Sequence, residues 1–167
     1  KSIVNLNDVF VTTVYVNSQG VAINNAEGDL TFPADLLQVQ SISTADSVFT
    51  IWVEQPSFSN TAGTVSFNGG VPNPGFNGTT GKLFRVIFKA IKAGTVPISF
   101  TSANILANDG SGTDVTSKLN NTVVTVKSSV VEENPKPVQT SIADNVGDIP
   151  TTPIITSREI PSETEWY

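Results

Sequence analysis

The chain has 167 residues, a formal net charge of -6 and a sequence pI near 4.4, with 38% hydrophobic and 14% charged residues. No two Lys or Arg residues are adjacent, so neither a nucleic-acid footprint nor an anionic-membrane patch is expected, and no apolar run approaches the roughly 20 residues of a membrane span. Cysteine, histidine and methionine are absent, which removes disulfides, thiolate and imidazole metal sites, and the commonest general base.

This length suits a single hydrophobic core. Without an initiator Met or a signal-type apolar leader, the chain reads as a piece of something longer. Apolar and polar residues alternate in segment after segment between glycine and asparagine turns, and no window holds a helical period. The alternation predicts strands at residues 8–17, 26–32, 36–43, 48–54, 63–68, 82–91, 95–101 and 121–127. Short strands at this spacing describe an all-β fold, a two-layer antiparallel β-sandwich.

In AEGDLTF, period-2 parity buries Ala26, Gly28, Leu30 and Phe32 and turns Glu27, Asp29 and Thr31 outward. Pro33 ends that strand, and Asp35 can cap the turn after it. In FTIWVEQP, Trp52 shares parity with Thr50 and Glu54, whereas Phe49, Ile51 and Val53 take the other side, so both sets cannot be fully buried. An exposed platform of Trp52, Phe58 and Phe76 would suit sugar stacking, but a core position for Trp52 is favoured.

The stretch FNGGVPNPGFNGTTG, residues 67–81, holds five glycines and two prolines. A phosphate cradle would need these glycines between a strand and a helix N-terminus. The segment that follows, GKLFRVIFKA, has strand period instead, so the cluster reads as an inter-strand connection. That strand puts Phe84, Val86, Phe88 and Ala90 inward and Leu83, Arg85, Ile87 and Lys89 outward. Val96, Ile98 and Phe100 are expected inward in TVPISFTS, as are Val124 and Val126 in NTVVTV.

The segment order EGDLTFPADLLQVQSIS, TVSFNGG, GKLFRVIFKAIKAGTVPISFTSANILANDGSG and a closing VTV resembles a cohesin domain, especially the cohesin-like modules of bacterial surface proteins. The matching pieces are Leu30 to Val39 and Gly81 to Ala90, and the resemblance covers residues 6–127. It implies a nine-stranded jelly roll, similar to carbohydrate-binding modules, at the cell surface or outside the cell, acting by binding rather than catalysis.

Cohesins bind dockerin modules through one sheet face, and the resemblance assigns to that face the strands 26–32, 63–68 and 82–91. Its outward residues are Glu27, Asp29, Thr31, Thr64, Ser66, Arg85, Ile87 and Lys89. The blander expectation is that Glu27 and Asp29 face Arg85 and Lys89 as cross-strand pairs on a solvated sheet, each worth a few tenths of a kcal/mol. The family's first strand is expected to be missing or shortened, since only KSIVNL precedes the strand beginning at Asn7, leaving an open sheet edge.

Residues 128–167 carry five of the ten prolines and read as a linker, a strand-donating tail or the start of a following module. Donation to a neighbouring copy would build a homo-oligomeric filament; a linker would leave Trp166 and Tyr167 exposed. No cofactor is called for. The loop ANDGSGTD offers Asn108, Asp109, Ser111, Thr113 and Asp114 as oxygen donors for Ca²⁺, with Asn108, Asp109, Ser111 and Asp114 the candidate set, but its spacing departs from an EF-hand and suits a plain Asp-Gly turn. Glycosylation sequons occur at Asn77 and Asn120. The expected role is a non-enzymatic extracellular recognition or adhesion module of residues 1–127, whose partner is a dockerin-like protein or a neighbouring copy. Filament assembly and carbohydrate binding are the alternatives.

Overall fold

The computed structural model describes residues 2–128. Expectations for the tail, from strand donation to Trp166 and Tyr167, lie outside the described residues. Nine strands follow one another: β1 (Ser2–Asn5), β2 (Val9–Val16), β3 (Ile23–Thr31), β4 (Leu37–Ser43), β5 (Ile51–Ser59), β6 (Thr64–Gly70), β7 (Gly81–Ala90), β8 (Gly94–Ala107) and β9 (Thr122–Lys127). They form a six-stranded sheet, β1-β9-β8-β3-β6-β5, and a three-stranded sheet, β2-β7-β4. The two sheets pack face to face as an all-β jelly-roll sandwich.

The core is the sum of the inward parities. Phe84, Val86, Phe88 and Ala90 of β7 are buried, and so are Ala26 and Leu30 of β3 with Phe32 just beyond it. Aromatic rings join the layers: Phe84 meets Phe67 with ring centres 5.0 Å apart, and Phe88 meets Phe32 at 5.3 Å, both edge to face. Such pairs add about 0.5–1.5 kcal/mol beyond the area they bury.

Parity fails at Leu83, which is buried although alternation turns it outward. Val14 pairs with Phe84 and Tyr15 with Lys82, so Leu83 is the extra residue of a β-bulge. A bulge lets two successive side chains point the same way. Around Trp52, Phe49 is buried just before β5 begins, and Trp52 packs edge-on against Phe49 and Phe84, leaving Ile51 and Val53 exposed.

Of the two expectations for the first strand, missing or shortened, the second holds. β1 is short, and it pairs in parallel with β9, Ser2 opposite Val124 and Asn5 opposite Lys127. β8 is longer than the alternation suggested because it serves two neighbours in turn: Gly94–Ile98 pair with β9, and the following residues to Ala107 pair with β3.

The glycine-rich stretch joins β6 to β7 and touches no helix, but its first two glycines lie inside β6. A Cβ on Gly69 would stand 2.5 Å from the Trp52 ring, and one on Gly70 would stand 2.2 Å from the Asn24 carbonyl oxygen. Close approach, rather than turning, fixes glycine there.

One side chain fastens the layers at their edges. Asn60, in the β5–β6 turn, accepts a 2.7 Å hydrogen bond from the Val39 amide and donates a 2.9 Å bond to the Val39 carbonyl. It thereby stands in for a missing strand neighbour beside β4, where the β4–β7 register shifts between Val39 and Ser41.

Candidate functional site

The outer surface of β5, β6, β3 and β8 carries a connected set of hydrogen-bonded polar side chains. The register sets Glu27 of β3 between Asn68 of β6 and Asn104 of β8, and Asp29 between Ser66 and Ser102. Period 2 turns all six to the same side.

These side chains are held in place by one another. Asn25 donates a 2.9 Å hydrogen bond to the Asn68 carbonyl oxygen, and Asn68 donates a 2.7 Å bond to Glu27 Oε2. Ser66 donates to Asp29 Oδ1 at 2.6 Å and Ser102 to Oδ2 at 2.8 Å. Hydroxyl donors on both oxygens, Ser66 foremost, hold the Asp29 carboxyl below the usual carboxylate range.

With Glu54 of β5 this face gathers three carboxylates around a shallow depression of about 330 Å³. The ion pairs among the described residues lie elsewhere, joining Lys82 and Arg85 to Asp46 and Lys92 to Asp35. A second depression of about 550 Å³ adjoins the first at Glu27 and Asn68 and is walled by Ile51, Val53, Val71, Pro72 and Leu106. The surface is therefore acidic at its centre and apolar at one end.

The strand-to-sheet assignment divides the expected partner face. Glu27, Asp29, Thr31, Thr64 and Ser66 lie together on the six-stranded sheet, as β3 and β6 are neighbours. Arg85, Ile87 and Lys89 lie on β7, at the centre of the other sheet, with the hydrophobic core between the two groups. Glu27 and Asp29 accordingly face amides and hydroxyls rather than Arg85 and Lys89 as cross-strand partners.

No family model matches the sequence, and neither does any curated protein. Solved structures match the fold. The seventh ScaB type I cohesin from Pseudobacteroides cellulosolvens is 18% identical with a TM-score of 0.65, over 80% of this chain and 92% of that one. The domain is cohesin-like in fold.

A cohesin module from a Clostridium perfringens family 33 glycoside hydrolase matches with 11% identity and a TM-score of 0.62, over 77% of this chain and 92% of that one. A chain of a type I cohesin–dockerin complex from Clostridium thermocellum matches with 17% identity and a TM-score of 0.61, over 75% of this chain and 93% of that one.

Four members of the cohesin-like domain's acidic face were not singled out from the sequence: Glu54, Asn68, Ser102 and Asn104. The alternation in TVSFN and SANIL marks three of them as outward, and what parity lacked was the pairing of β8 with β3.

The candidate calcium loop is organised around itself. Asp109 accepts from the Ser111 and Gly112 amides and from the Thr113 hydroxyl, and Asp114 accepts from the Thr116 amide. The Thr113 hydroxyl first, then the loop amides, lower the Asp109 carboxyl, and Thr116 lowers that of Asp114. The Asn108 amide donates to Asn73 instead. No cluster of three or more acidic side chains that could hold a metal occurs among the described residues. This is the arrangement of an Asp-Gly turn.

The three aromatics of the sugar-stacking alternative do not share a face. Trp52 packs inward on Phe84, Phe76 lies against Gly81, and Phe58 stands exposed near the end of β5. Of the sequons, Asn77 is tied into the β6–β7 loop, accepting from Ser18 and donating to the Gly20 carbonyl.

Proposed function

We propose that the cohesin-like domain is a non-enzymatic, extracellular protein-recognition module that binds a dockerin-like partner on the outer face of β5, β6, β3 and β8. The observation that carries this reading is the row Glu27, Asp29 and Glu54: three carboxylates on an exposed sheet face, two of them oriented by hydrogen bonds and none joined to a Lys or Arg among the described residues. Orienting the side chains beforehand lowers the ordering cost of association. The cohesin fold and the crystallisation of one of its structural neighbours as a type I cohesin–dockerin complex lend support.

The partner suited to such a surface brings amide or cationic donors to the carboxylates and an apolar side chain to the depression at Ile51 and Val53. The experiment is calorimetric titration of the full chain with a panel of type I dockerin modules. We expect at least one dockerin to bind, with affinity reduced tenfold or more in the double variant Glu27→Lys, Asp29→Lys and preserved in Lys89→Glu. Absence of binding across the panel, or binding indifferent to the double reversal, overturns the reading.

A further inference from the structure

The outer face of the three-stranded sheet has a composition that solvent exposure alone does not explain. Strand β2, VFVTTVYV, is apolar on both sides. Phe10, Val14 and Val16 turn toward the core, while Val9, Val11 and Tyr15 are 58%, 55% and 58% exposed. A strand solvated on one face normally alternates apolar with polar, and apolar residues on both faces mark a strand covered on both.

The exposed side chains stand in register beside β7: Val9 opposite Lys89, Val11 opposite Ile87, Thr13 opposite Arg85 and Tyr15 opposite Lys82. Asp46 bridges Lys82 and Arg85, and Lys89 has no carboxylate partner among the described residues. The result is an apolar stripe running along a cationic row.

We infer that this face is a second docking surface and that its occupant is another copy of the chain, presenting the outer face of its six-stranded sheet. That face is complementary in both respects. It offers Glu27, Asp29 and Glu54 to the cations and the exposed Ile51 and Val53 to the apolar stripe.

The contact is heterologous and joins the outer faces of opposite sheets of the sandwich, so copies stack in an open row unless the rotation between them closes a ring. Three strands about 4.8 Å apart and about 27 Å long offer about 400 Å² per copy, half the roughly 800 Å² of a stable interface. Each contact is therefore weak and sensitive to salt. The acidic face is shared with the proposed partner, so partner binding and stacking exclude each other.

The test is sedimentation of the full chain over a concentration series at about 20 mM and about 500 mM salt. The mass is expected to rise with concentration at low salt and to fall to that of the monomer at high salt. Arg85→Glu with Lys89→Glu, and Glu27→Lys with Asp29→Lys, should each weaken self-association tenfold or more. An equimolar mixture of the two variants should associate, because one carries two acidic faces and the other two basic ones. Val9→Ser with Val11→Ser, checked for folding by circular dichroism, should weaken association without changing its salt dependence. A chain that stays monomeric throughout, or whose association ignores both reversals, overturns the proposal. Dockerin titration reads the other face separately, so a monomeric chain that still binds dockerin sinks this inference alone.

Discussion

Ser66 and Ser102 grip one carboxylate from opposite sides: their hydroxyls donate to the two oxygens of Asp29 at 2.6 and 2.8 Å, each from a strand flanking β3. The interaction depends on the ionised form, since a protonated carboxyl loses part of its accepting capacity.

The carboxyl of Asp29 should therefore titrate below the about 3.9 of an unfolded aspartate. Its contribution to stability is complete above that unfolded value and disappears as pH falls through the lower folded value. Carbon-detected NMR titration would follow it, and Ser66→Ala with Ser102→Ala should raise the midpoint toward the ordinary range. A wild-type midpoint at or above that of a free aspartate would contradict the geometry.

Asn60→Ala removes both hydrogen bonds to Val39 and leaves a part-buried amide and carbonyl without their partner. The expected cost is about 1–3 kcal/mol, read as a lower urea midpoint with unchanged slope. An unchanged midpoint would show that water replaces the amide at no cost.

Gly69→Ala drives a methyl group into the Trp52 ring, whose nearest atoms lie 2.5 and 2.7 Å from the ideal Cβ position. Overpacking of this kind costs about 1–3 kcal/mol. Tryptophan fluorescence should shift as the ring moves, and an unperturbed spectrum with full stability would count against the packing described.

Phe84→Ala empties the position where Trp52 and Phe67 converge from the opposite layer. The side chain is fully buried, so the loss should fall near the 3–5 kcal/mol of such truncations. A loss under about 1 kcal/mol would mean that the layers collapse to fill the space.

The inward faces of β3, β7 and β9 were largely legible because period 2 is a local property: Leu30, Phe88 and Val124 follow from their neighbours alone. Leu83 was not, since a bulge depends on the register with β2. Layer membership was also hidden. Parity says that Asp29 and Lys89 both point outward, but outward has two opposite senses in a sandwich, and only the pairing of β8, rather than β7, with β3 separates them. The double-sided apolar character of VFVTTVYV was visible in the sequence, yet its meaning depended on finding β2 at the margin of a sheet.

The parallel pairing of β1 with β9 sets the direction of mechanical load. Tension applied at Ser2 and Lys127 pulls these strands along their own axes in opposite senses, so the bonds joining Ser2–Asn5 to Val124–Lys127 bear the force together instead of opening one by one. Resistance to traction then resides in a four-residue strand at the margin of the domain, and survival under tension is set by the rate at which that short splice lets go.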